Sequence, residues 1–186
     1  MAKKILDQSI EVLLNSQVIL YPTDTVWGIG CDATSIDAVA KIFKLKNRVE
    51  SKSLVVLVSS IEMLHTYVDA VPQKAIDIIS TTNKPTTIIY KNPKGLAANA
   101  IASDNTIAIR IPSHDYCLEL INKFGKPIIS TSANISGEST PKSFSEISLP
   151  ILEGVDYVVN LEQDKITDKS STILKLVGND IEVIRA

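Results

Sequence analysis

The chain has 186 residues, 45% of them apolar and 22% charged, which suits one compact domain with a full core. Nineteen Lys and Arg stand against 21 Asp and Glu, a formal net charge of −2. That balance excludes a protein held to nucleic acid by bulk positive charge and leaves room for a local basic cluster. Two cysteines, Cys31 and Cys117, are too few for a disulfide framework or a four-ligand zinc site, so a reducing cytoplasm is the expected compartment.

The opening segment is expected to be a helix, with Leu6, Ile10, Leu13 and Leu14 on its inner face. Lys3 and Lys4 ahead of Ile5 and Leu6 imitate a signal peptide, but Asp7, Gln8 and Glu11 break the apolar run and no signal is expected. Val18-Ile19-Leu20 reads as a strand. Ser35 is placed to cap a helix with Ile36, Val39 and Phe43 inward. Leu54–Val58 reads as a strand buried on both faces, and is far too short to span a bilayer. Ser59 with Glu62 forms a capping box for a third helix, and Pro72 suits the first turn of a fourth.

Two strands are expected at Thr86–Lys91 and Thr106–Ile111, then a helix from Ser113 to the C′ residue Gly125. Pro127–Ser130 is a short strand, and Ser143 with Glu146 is a second capping box. Tyr157–Asn160 is a strand, and Thr172–Val177 with Ile181–Ile184 form a hairpin about Gly178-Asn179-Asp180. Strands joined both by helices and by hairpins give an α/β fold, a mixed parallel and antiparallel sheet layered with helices. No repeat or linker divides the chain, so residues 1–186 read as a single domain.

Gly28-Ile29-Gly30-Cys31-Asp32-Ala33 matches G-x-G-x-x-A formally. A dinucleotide fingerprint needs those glycines between a strand and a helix, but no helix begins until about Ser35. A tight turn is the better reading. His65 and His114 stand far apart and Cys117 lies on an apolar helix face, so neither metal nor thiol chemistry is indicated.

Two stretches are more informative. Lys41 to Lys52 holds five of the 19 basic residues and one acid. Lys41 and Lys44 read as a solvated helix face, whereas Lys46, Arg48 and Lys52 fall in a polar loop, where cations can grip phosphate. Ser130 to Pro141 crowds hydroxyls, the Asn134 amide and Gly137 just after a strand end, a common place for a ligand site in α/β proteins.

Taken together and in this order, Tyr21-Pro22-Thr23-Asp24-Thr25-Val26-Trp27-Gly28-Ile29-Gly30, Lys46-Asn47-Arg48, Arg110-Ile111-Pro112 and Ser130-Thr131-Ser132-Ala133-Asn134 resemble the YrdC/TsaC family. The resemblance covers nearly the whole chain. It implies a twisted mixed sheet around a concave basic site. The implied activity is an L-threonylcarbamoyladenylate synthase, joining L-threonine, bicarbonate and ATP with release of pyrophosphate, for threonylcarbamoyladenosine modification of tRNA.

Carried over by position, the resemblance makes Lys46 and Arg48 the catalytic cations of the K-x-R loop. It assigns Arg48, Lys52, Thr106, Ser132, Asn134, Thr140 and Arg185 to ATP, and Thr25, Arg110, Ser130 and Ser171 to threonine. It implies no metal held by protein ligands, with Mg²⁺ arriving on the triphosphate, a weak tRNA contact, and hand-off to a downstream threonylcarbamoyl-transferase complex. Val49 stands where many relatives have Pro, Leu57 where some place a threonine-contacting His, and Trp27 where Tyr or Phe is usual. Two rival readings share the fold: a non-enzymatic RNA-binding module, disfavoured by the net charge and the nine aromatic residues, and a carbamoyl-adenylate-forming domain.

Overall fold

A computed structural model describes residues 2–48, 54–178 and 180–186. Lys52 and Val49 lie outside these residues, as does Asn179 of the expected hairpin turn.

Six helices are described: α1 (Ala2–Leu14), α2 (Ile36–Leu45), α3 (Ile61–Tyr67), α4 (Gln73–Thr81), α5 (Asp115–Phe124) and α6 (Leu149–Gly154). Nine strands form one sheet: β1 (Ile19–Tyr21), β2 (Gly28–Gly30), β3 (Val55–Leu57), β4 (Thr86–Lys91), β5 (Thr106–Arg110), β6 (Ile128–Ser132), β7 (Tyr157–Val158), β8 (Thr172–Val177) and β9 (Asp180–Arg185). Their spatial order is β7-β1-β2-β6-β3-β5-β4-β8-β9. Three neighbouring pairs are parallel (β1 with β7, β3 with β5, β4 with β8) and the rest antiparallel, so the expected mixed sheet is the one observed.

Alternation along the strands divides the core in two. One face carries Leu20, Ile29, Val56, Ile88, Ile107, Ile109 and Leu174 into a layer completed by Val39, Ile42 and Phe43 of α2. The other sends Ile19, Tyr21, Leu57 and Ile128 against Leu6 and Leu13 of α1 and Cys117, Leu120 and Ile121 of α5. Each fully buried aliphatic contributes about 1.5–3 kcal/mol of transfer free energy. The helices cover only part of the second face, and the rest of it is where the site forms.

Local signals fix the type of each element more firmly than its first residue. Ser35 caps α2, its hydroxyl accepting from Ala38 N–H at 3.3 Å, and Gly125 ends α5 at φ 75°. The third helix is capped by Ser60, which accepts from Met63 N–H at 3.2 Å, one residue later than the Ser59–Glu62 box. His114, not Ser113, precedes α5; the Ser113 N–H is held instead by Asp24 Oδ2 at 3.1 Å. Glu146 does not close a box on Ser143: its carboxylate accepts from Lys142 N–H at 2.8 Å, beside a single 3₁₀ turn. Leu14 and Ile36 are 64% and 57% exposed, because each sits at a helix end that overhangs its layer.

Gly28 and Gly30 are not in a tight turn. They lie in β2, and the reason for glycine is space. A Cβ on Gly30 would sit 2.6 Å from the Tyr21 ring and 2.7 Å from the Ile129 carbonyl oxygen. On Gly28 it would lie 3.1 Å from Ser130 Oγ.

In the β8–β9 hairpin Leu174 pairs with Val183 but Ile173 pairs with Arg185, which leaves Ile184 as an extra, bulged residue. In an unbroken ladder Arg185 would share the face of Leu174. The bulge puts it on the face of Ile173 instead.

Candidate active site

The uncovered part of the second face forms a cleft of about 290 Å³. Its wall is built from the β1–β2 loop (Thr25 to Trp27, then Gly28), from Arg48 after α2, and from Leu54 and Val55 at β3. Arg110 closes β5, Ser130, Thr131 and Ser132 close β6, and Thr140 stands on the loop beyond. Asp168 to Ser171, Ile173 and Arg185 complete it. Among the described residues, four cations, Arg48, Arg110, Lys169 and Arg185, and one carboxylate, Asp168, line the cleft, so the concavity is suited to anionic oxygens.

The Pro22-Thr23-Asp24-Thr25 turn is organised by hydroxyls. Thr23 Oγ1 donates to Val26 O at 2.7 Å and accepts from Thr25 N–H at 3.0 Å. With the Thr23 proton so committed, the 2.9 Å contact between the two hydroxyls is donated by Thr25. Both Nη atoms of Arg110 lie 3.4 Å from Thr25 Oγ1, and Nη1 is 3.2 Å from Asp24 Oδ1. Two residues of one turn, Asp24 and Thr25, thus hold the guanidinium at the end of β5, with Thr23 bracing Thr25.

At the other side of the cleft, Arg185 donates to the Ser171 carbonyl from Nε at 3.0 Å and Nη2 at 2.8 Å, and from Nη2 to Ser171 Oγ at 3.3 Å. The segment leading to Ser171 is moored by Thr167, whose Oγ1 donates to Thr25 O at 2.6 Å and whose N–H donates to Lys142 O at 2.8 Å. Trp27 packs on Phe144 with ring centroids 5.0 Å apart, tying the β1–β2 loop to the segment after β6.

Of the residues expected at the site, Thr25, Arg48, Arg110, Ser130, Ser132, Thr140, Ser171 and Arg185 meet in the cleft wall. Three stand apart from it. Lys46, the C-cap of α2, is 2% exposed, and its Nζ donates to the carbonyl oxygens of Ser132 and Asn134. Burial, and secondarily the charge of Arg48, lowers its pKa to about 8. It is a buckle between α2 and the β6 exit rather than an open loop cation. Asn134 spends its Nδ2 on Ile135 O at 3.0 Å and Glu138 O at 2.9 Å, inside its own loop. Thr106 shares the cleft's face but lies four residues from Arg110, about 13 Å along β5, and donates to Asp104 Oδ1 at 2.6 Å.

Val26, Leu54, Val55, Thr131, Asp168, Lys169, Ser170 and Ile173 line the cleft without having been singled out. The polar run Asp168 to Ser171 immediately before a strand was the available signal. Cys31 and Cys117 are fully buried, with thiol pKa values raised chiefly by burial, so neither is poised as a nucleophile. Leu57 packs under α1 and α5 on the same face as the cleft.

Fold and cleft together define an α/β protein with an arginine-lined cleft on the open part of a mixed sheet. The chain belongs to the Sua5/YciO/YrdC family: the family model described as "Telomere recombination" matches residues 11–186. A threonylcarbamoyl-AMP synthase from Enterobacter sp. (strain 638) is 32% identical over 155 residues, 82% of this chain and 82% of that protein. P. abyssi Sua5, solved in complex with L-threonine, superposes with a TM-score of 0.90 at 24% identity. The match covers all of this chain, which spans about half (54%) of the P. abyssi one. E. coli YciO gives a TM-score of 0.85 at 24% identity, covering 100% of this chain and 89% of its own. At that identity the two solved structures establish the fold.

Proposed function

We propose that this chain is an L-threonylcarbamoyladenylate synthase, residues 1–186 acting as one unit. The observation that carries the reading is a single cleft holding two kinds of grip. Thr25, Arg110 and Ser171 suit a small hydroxylated amino acid, and Arg48 with Arg185 suits polyphosphate. The threonylcarbamoyl-AMP synthases of matching length support it.

The threonine amine attacks the carbon of bicarbonate, water departs, and an N-carboxylate remains. One oxygen of that carboxylate attacks the α-phosphorus of ATP and pyrophosphate leaves. The chemistry asks for alignment and charge neutralisation more than for a nucleophile on the protein. Arg110 receives the amino-acid carboxylate, with Thr25 and Ser130 beside it. Arg48, Lys52 and Arg185 neutralise the phosphates, with Ser132 and Thr140 along the nucleotide. Lys46 contributes by holding the β6 exit loop. Mg²⁺ enters as part of the nucleotide substrate, on the triphosphate.

The product, a mixed anhydride, is passed in the cytoplasm to a threonylcarbamoyl-transferase complex, with at most a weak contact to tRNA. Among the described residues no helix is long and apolar enough to cross a membrane. The test is pyrophosphate release from ATP, with L-threonine and bicarbonate each omitted in turn. Release that requires both supports the synthase. Binding of ATP or RNA without release overturns it in favour of a binding module.

A further inference from the structure

Ser171 sits in the cleft wall with an oxygen that is already spoken for. Thr87, fully buried on β4, donates from Oγ1 to Ser171 Oγ at 2.9 Å, and Arg185 Nη2 reaches the same oxygen at 3.3 Å. The register explains the meeting: Thr87 pairs with Ile173, and Ile173 pairs with Arg185, so Thr87 and Arg185 approach from the two strands flanking β8 onto one face. A hydroxyl oxygen has two lone pairs and one proton. Both lone pairs of Ser171 are taken, so its hydroxyl can only donate, and the cleft is the space left for that proton.

We infer that Thr87 is a positioning residue of this site, fixing Ser171 as a donor that reads an anionic oxygen of the bound ligand and not its ammonium group. Thr87 touches no ligand; it lies beneath Ser171 and outside the cleft wall. Without its hydroxyl, Ser171 Oγ has a free lone pair, the hydroxyl can turn, and it can equally accept. The polarity of the donor excludes the ammonium, and the arginines that share the cleft wall make an anionic oxygen the acceptor it meets. Which anion is read, an amino-acid carboxylate or a phosphate oxygen, rests on the synthase assignment above.

The experiment is isothermal titration of L-threonine, and separately of ATP, into wild type, Thr87→Val, Thr87→Ser, Ser171→Ala and the Thr87→Val/Ser171→Ala double variant, with melting temperatures recorded for each. A hydrogen bond to a charged group is worth roughly tenfold to a hundredfold in affinity. Thr87→Val is expected to weaken one of the two ligands by about tenfold. Thr87→Ser should restore it, and the double variant should be no weaker than Ser171→Ala alone. The ligand that responds identifies the anion. Unchanged affinity for both ligands in a folded Thr87→Val protein overturns the inference, as does an equal loss when Ser171 is already Ala. Should Thr87→Val not fold, Thr87→Ala takes its place in the same cycle. Wild-type pyrophosphate release in the same preparations separates this result from the synthase reading: an active wild type with an indifferent Thr87 removes only the inference.

Discussion

Arg110 and Asp24 face each other at 3.2 Å, with side chains only 4% and 6% exposed. Two charges this far from water are held by each other and by what surrounds them: Thr25 beneath the guanidinium, the Ser113 N–H on the second carboxylate oxygen. Removing one member of such a pair strands the other.

Asp24→Asn is therefore expected to lower stability by about 3 kcal/mol. The Asp24→Asn/Arg110→Met double variant should lose less than the two single losses combined. Urea denaturation of the four proteins measures this. Full additivity would show that the pair is not coupled.

Gly30→Ala and Gly28→Ala should behave differently although they stand two residues apart. The Gly30 methyl has a backbone carbonyl at 2.7 Å and a buried ring at 2.6 Å, so β1 or β6 must move, at a cost of about 3 kcal/mol or more. The Gly28 methyl meets Ser130 Oγ at 3.1 Å, a side chain that can rotate. That variant should melt near wild type yet bind L-threonine more weakly. Thermal melting and calorimetry distinguish the two.

The pKa of Lys46, about 8 in the folded protein, lies below its ordinary 10.5 because of burial and the neighbouring Arg48. Between those values the unfolded chain holds a proton that the folded protein has released, so stability rises with pH across that window. Below about 8 both states are charged and the contribution is flat. Lys46→Met removes the titration. Wild type should thus gain more stability than Lys46→Met on moving from pH 7 to pH 10, and equal changes in the two urea midpoints would refute the assignment.

Arg48→Ala should reduce turnover or ATP affinity by about tenfold to a hundredfold, as expected for the loss of charge-assisted hydrogen bonds to phosphate. Wild-type pyrophosphate release by this variant would remove Arg48 from the nucleotide end.

Much of this was legible in residues, because strand and helix types follow from short-range pattern. The strand Thr86–Lys91 has the bounds its pattern gives, and Arg48 of the K-x-R segment and Ser132 of the S-x-N segment line the cleft while Lys46 and Asn134 do not. What escaped was decided by distant partners. Whether Gly28 and Gly30 belong to a turn or a strand depends on the ring of Tyr21, which only the β1–β2 pairing brings over them. Whether Lys46 reaches solvent or two carbonyls depends on where β6 ends. A capping serine at 59 or 60 is a choice between near-equal local options that packing settles.

The Ile184 bulge makes the C-terminal arginine a matter of parity. Residues between Leu174 and Arg185 can be exchanged freely as far as direction is concerned, but not counted differently. One residue fewer returns Arg185 to the side of Leu174, behind the sheet, where no substitution in the cleft can recover it. Two fewer, or two more, preserve its side while shifting its height. The side on which Arg185 emerges is thus set by whether the count is odd or even, a constraint that composition and hydropathy do not carry.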